Sequence, residues 1–109
     1  SYSQVWYDLS EEPMVYELPE TDRFCKVQLL DAWTNTAAVL DQAGAYAITL
    51  STWEGELPEG VTRIDIPTSM AWSITRTILS GEEDLPNVRA IQEKMKLMPL
   101  FQLYIWRYL

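Results

Sequence analysis

With 109 residues, 48% of them apolar, the chain has room for one domain and can bury a core without help from a metal or a disulfide. It has no histidine and a single cysteine, Cys25, which removes His-assisted nucleophiles, histidine metal ligands, internal disulfides and thiolate zinc clusters. A formal charge of −8 speaks against nucleic acid and anionic membranes as partners, because both are held by clustered Lys and Arg.

Five Trp and six Tyr are a large share for this length, and aromatics favour strands and fill the space between sheets. The acids are unevenly spread. Ser1 to Asp65 carries twelve against three bases, and Ile66 to Leu109 four against five. The first part therefore presents an acidic solvated surface, and the second has the character of something that packs. Catalysis within the chain would have to rest on carboxylates, Lys, Tyr or Arg, and no catalytic residue stands out.

Val5 to Leu9 reads as a first strand stopped by Ser10-Glu11-Glu12-Pro13. Met14, Tyr16 and Leu18 alternate with Val15 and Glu17 in a second, and the short polar connection suggests that the two form a hairpin. From Phe24 to Leu30 the period is two, with Cys25, Val27 and Leu29 on one side and Lys26 and Gln28 on the other. Cys25 on that inward side reads as a small core residue. Trp33-Thr34-Asn35-Thr36 is turn or strand-edge material, and Ala37 to Gln42 is ambiguous.

Gly44 to Leu50 forms another strand with Tyr46, Ile48 and Leu50 on one face. Glu54 to Gly60 is a loop punctuated by Gly and Pro, and Arg63 to Ile66 is a short strand ended by Pro67. Met70 to Leu79 fits both helical spacing and alternation, and its Thr and Ile content tips it to strand. Asp84 to Met98 is predicted as a helix, with Asp84 as N-cap, Pro86 in the first turn, and Leu85, Val88, Ile91, Met95 and Met98 in one stripe. The apolar segment Leu100 to Leu109 has three readings: a last core strand, an oligomer contact, or a link toward a second domain. No apolar run is long enough to span a bilayer.

Four stretches carry a family resemblance: YSQVWYDLS from Tyr2, VQLLDAWTN from Val27, GAYAITLSTWEGELPEGVTRIDIPT from Gly44, and Trp72-x-x-x-Arg76 running on to Gly81, Asp84-Leu85-Pro86 and Val88. In order and spacing the span Tyr2 to Leu97 resembles the bacterial domain of unknown function DUF1254. The resemblance implies a mainly β, immunoglobulin-like two-sheet sandwich with one C-terminal α-helix. It also implies a second domain, DUF1214, as partner, and export to the periplasm or the cell exterior. No catalytic residues come with the family. Residues 1–109 then read as a single sandwich domain and a fragment of a larger two-domain protein, which suits a chain that opens at Ser1 directly in strand-like sequence.

Candidate binding residues are Asp31, Trp33, Asn35 and Arg76. At the end of a strand, Trp33 can stack on a ligand while Asp31 and Asn35 hydrogen-bond it. The same two polar residues also suit a tight turn, with Trp33 capping the core. Arg76 needs a carboxylate or carbonyl partner if buried, and an ion pair with Asp31 or Asp65 competes with an anion-binding role facing a second domain. The acidic clusters at Glu11-Glu12, Glu54 to Glu59 and Glu82 to Asp84 lack calcium-loop spacing and read as surface charge and helix capping, so neither a metal nor a cofactor is expected. The leading expectation is a non-catalytic interaction module. The alternatives are an enzyme or small-ligand site formed with a second domain, and a homo-oligomer through Leu100 to Leu109.

Overall fold

The computed structural model describes residues 2–20, 25–77, 86 and 96–108. Its strands are β1 (Tyr2–Asp8), β2 (Met14–Leu18), β3 (Cys25–Asp31), β4 (Thr36–Leu40), β5 (Gly44–Leu50), β6 (Val61–Ile66), β7 (Met70–Thr77) and β8 (Lys96–Pro99), followed by helix α1 (Leu100–Tyr108). They form two four-stranded sheets, ordered β1-β7-β3-β4 and β6-β5-β2-β8. Among the described residues the pairings are antiparallel except β5 with β6, which run parallel. The protein is mainly β, a two-sheet sandwich with one C-terminal helix.

The alternation seen in the sequence sets the inner faces. Val27 and Leu29 of β3, Tyr16 and Leu18 of β2, and Ile48 of β5 are buried in one cluster with Tyr7, Leu9, Leu40, Ile66 and Ala71. Tyr46 and Leu50 pack against it, as their spacing with Ile48 requires. Cys25 opens β3, but its side chain lies outside the described residues.

The expected β1–β2 hairpin does not form. β1 pairs with β7 in the first sheet and β2 with β5 and β8 in the second, so Ser10 to Pro13 crosses between sheets instead of turning within one. The buried Leu9 and Pro13 anchor that crossing, with the Leu9 amide donating to the Ser69 carbonyl at 2.7 Å.

Two readings near the C-terminus are corrected. Lys96, Leu97 and Met98, expected to finish a helix, lie instead in β8; Pro86 is helical, and residues 84, 85 and 87–95 are outside the described set. Leu97 packs on the central core while Met98 is buried on the opposite side of the sheet, which is the alternation of a strand. Pro99 also favours an extended residue before it. The apolar segment from Leu100, for which a last core strand is one of three readings, is the helix α1, which overturns the strand reading. Leu100 and Leu103 point inward one turn apart, and Arg107 sits in the last turn, where the negative end of the dipole favours it. At its start the Leu100 amide donates to the Pro13 carbonyl at 3.0 Å and the Phe101 amide to Glu12 Oε1 at 2.9 Å, occupying two amides that lack helical acceptors.

A second, smaller core lies on the outside of the β6-β5-β2-β8 sheet. Val15, Met98, Leu100 and Leu103 are buried together, with Trp53, Leu57 and Val61 packed against them. Residues 51–60, the crossover between the parallel strands, form one wall of this core. The loop is tied down by Arg63, whose guanidinium donates to the carbonyls of Trp53 (2.7 Å) and Ser51 (3.4 Å), bridges to Asp65 and lies over the Trp53 ring. Gly60, at φ 82°, makes the turn into β6.

Candidate functional site

The β3–β4 turn holds three of the four predicted site residues. Asp31 is buried on the inner face, and its Oδ1 accepts the amides of Trp33 at 2.8 Å and Asn35 at 2.9 Å, while Oδ2 takes the Asn35 side-chain amide at 3.3 Å. The Thr34 amide donates to the Asp31 carbonyl, and Thr34 adopts φ 64°, a left-handed conformation that costs a β-branched residue energy. This network projects Trp33 outward at 77% exposure, so Trp33 does not cap the core.

Arg76 is elsewhere. In the β3–β7 register it faces Lys26, whereas Asp31 faces Ala71, five residues further along the strands and so roughly 17 Å away. The structure brings Asp31, Trp33 and Asn35 together and leaves Arg76 at the opposite end. Arg76 also points outward and is exposed. Among the described residues neither expected ion pair forms, because Asp31 is committed to its turn on the inner face and Asp65 to Arg63.

The reason lies in β7, whose faces reverse the usual pattern. Ala71, Ser73, Thr75 and Thr77 are buried, while Met70, Trp72, Ile74 and Arg76 face outward. Small inward residues leave room for large ones from the neighbouring strands and the opposite sheet. Tyr16 reaches across with its hydroxyl 2.9 Å from Thr75 Oγ1. Tyr7 is buried beside Ser73, but neither hydroxyl closes a hydrogen bond of good geometry. Burial pushes the Tyr7 phenol well above its ordinary range, with Ser73 pulling weakly the other way.

Pairing across three strands arranges the outer face of the β1-β7-β3-β4 sheet in transverse rows. Trp6, Trp72 and Leu30 form one, and the two indoles are stacked with centroids 5.0 Å apart and planes 4° from parallel. The next row is Gln4, Ile74 and Gln28; beyond it come Arg76 and Lys26. The Gln28 side-chain amide donates to Thr36 Oγ1 at 2.7 Å. At the other end, hydrogen bonds from Ser10 hold the exposed Asp8 carboxyl below its usual range. Sequence reading missed Trp6, Trp72, Gln4 and Gln28 because only strand register gathers them; the recurrence of Trp72 and Arg76 on one parity of β7 was the available signal.

A cleft of about 330 Å³ lined by Asp8, Ser10, Glu11, Glu12, Met14 and Pro99 lies beside the start of α1. Among the described residues no group of three or more acids or cysteines is placed to hold a metal ion.

No curated protein matches the chain. A solved structure, the VPA0106 protein from Vibrio parahaemolyticus, is similar in fold at a TM-score of 0.89 and 18% identity, over 94% of this chain and 28% of that one. The present chain thus spans little more than a quarter of that relative's length. The family model described as "Protein of unknown function (DUF1254)" matches residues 1–99, which take in all eight described strands of both sheets. The chain belongs to the DUF1254 family.

Proposed function

We propose that this domain is a structural and interaction module of a larger exported protein, docking through α1 onto a further domain of the DUF1214 kind. The observation that carries the reading is the surface of α1. Beyond the buried Leu100 and Leu103, it presents Phe101 at 67% exposure, Trp106 at 54% and Tyr108 at 61%, with Tyr104 and Ile105 beside them. A helix apolar on nearly every side is ordinarily covered by protein. The solved relative, several times longer, supplies the precedent for additional chain. Immunoglobulin-like kinship and export rest on the family resemblance; no helix among the described residues is long and apolar enough to cross a membrane.

The test compares hydrogen exchange over Leu100–Tyr108 in this chain and in a longer form that includes the following domain. Protection confined to the longer form supports the module. Equal exchange in both, with both sedimenting as monomers, removes it, and protection in a dimer of the short chain replaces it with self-association through Leu100 to Leu109.

A second reading is favoured by the exposed Trp33: the β3–β4 turn, with Asp31 and Asn35 as its frame and Arg76 further along the sheet, lends residues to a small-ligand site completed by another domain. Ligand-induced quenching of Trp33 fluorescence that appears only in the longer form would support it.

A further inference from the structure

We propose that the interior of the sandwich binds one water molecule, which bridges the hydroxyls of Tyr7 and Ser73. The site lies between the sheets, apart from α1 and from the β3–β4 turn, so it stands or falls separately from the module reading.

β7 provides the setting. It lies inside its sheet, between β1 and β3, and its inward residues Ala71, Ser73, Thr75 and Thr77 are all small. Small residues alone say only that larger neighbours fill the space. Two hydroxyls say more. Tyr7 is 7% exposed and Ser73 fully buried, and among the described residues neither hydroxyl has a hydrogen-bond partner. An unpaired buried hydroxyl is costly, and native interiors rarely leave two side by side. Register puts them side by side. Tyr7 pairs with Ala71 and Val5 with Ser73, so Tyr7 is the diagonal neighbour of Ser73, a separation that aromatic side chains span.

A direct bond between the two would satisfy only one of them. When one hydroxyl donates to the other, the second proton is left without an acceptor. The next hydroxyl along β7 is already engaged, with Thr75 Oγ1 2.9 Å from the Tyr16 hydroxyl. A buried water ordinarily makes about three hydrogen bonds, so it can take both protons at once. Larger or charged occupants do not suit the surroundings. Ser73 is flanked in register by the apolar Val5 and Leu29, and Tyr7 packs in one cluster with Leu9, Tyr16, Leu29 and Ile48. Interiors of ordinary density leave gaps no larger than a water. An ion would meet two neutral hydroxyls and no opposite charge, because the buried carboxylate of Asp31 is committed to its own turn.

The experiment counts long-lived internal water by oxygen-isotope magnetic relaxation dispersion, which sees water oxygens and not exchanging hydroxyl protons. The parent chain should show a dispersion, and Tyr7→Phe combined with Ser73→Ala should lose one water's share of it while circular dichroism shows the fold kept. Ser73→Val, which sets methyl groups where the water sits, should lose the same share. An unchanged amplitude in the double variant overturns the proposal. If that variant does not fold, Tyr7→Phe alone takes its place: the amplitude should fall, because the water loses an anchor, and an unchanged one overturns the proposal. A crystal structure with ordered solvent should place the water about 2.5–3.0 Å from both oxygens. A direct Tyr7–Ser73 bond with no water against either overturns it as well.

Discussion

On the outer side of the β6-β5-β2-β8 sheet, Val15 and Met98 are buried against α1 and residues of the 51–60 loop, and Ala47 and Thr49 are buried as well. On the outer side of the other sheet, Trp6, Met70 and Val39 stand 57%, 41% and 44% exposed. Both faces are rich in apolar side chains, so residue type alone does not say which is covered. The covered face is small-residued at its centre, so that a helix can approach; the bare one is broad and aromatic, with amides and charges set among the rings. The first is packed upon, and the second leaves its aromatic rings beside amides and charges.

This contrast can be broken or sharpened by substitution. Leu103, 1% exposed beneath α1, is the keystone of the covered face. Leu103→Ala should cost about 2–5 kcal/mol in urea unfolding and release α1 first, seen as faster exchange over Leu100–Tyr108. A loss under about 1 kcal/mol would mean that the second core is ornamental. Gly55 comes next. A Cβ there would run into the Trp53 ring, which is itself clamped between Leu57, the buried cluster and Arg63. Gly55→Ala should therefore cost about 1–3 kcal/mol, checked by the same unfolding curve. On the bare face Trp6→Ala should cost about 1 kcal/mol, the scale of a stacked aromatic pair. If it costs as much as Leu103→Ala, the face is packed in solution and the comparison fails.

The smallest effect tests the interior between the sheets. Tyr7→Phe removes a buried hydroxyl that has no good partner, and should leave stability within about 1 kcal/mol of the parent at neutral pH. Its signature is alkaline. The native phenol holds its proton above the ordinary range, so above about pH 10 the native state binds more protons than the unfolded one. Stability is intact below that pH and declines as pH rises past it, and Tyr7→Phe should flatten the decline.

The inward faces of β2, β3 and β5 were legible because each alternates strictly, as Val27 and Leu29 against Lys26 and Gln28 do. β7 was recognisable as a strand, but its orientation was hidden, since Trp72 and Ile74 face out and Ser73 and Thr75 face in. Only the large Tyr7 and Tyr16 filling the space opposite explain that inversion, and they reach it through tertiary contact. α1 was missed because Leu100 to Tyr108 is apolar at both periods, so neither template wins. The Asp31 turn was readable from its Asx residues. The outer-face rows were not, because they depend on β1 pairing with β7 across some seventy intervening positions, where no local signal reaches.

The parallel β5–β6 pair has a consequence in time. Its crossover loop is secured by α1, through Tyr104 to the Glu56 carbonyl at 3.2 Å and Arg107 to the Glu59 carbonyl at 2.9 Å, each 48 residues later in the chain. At ribosomal speeds, on the order of 5–20 residues per second, the loop emerges several seconds before its latch exists. During that interval Trp53, Leu57 and Val15 have no cover, and the nascent domain is at its most exposed to wrong partners and to chaperones.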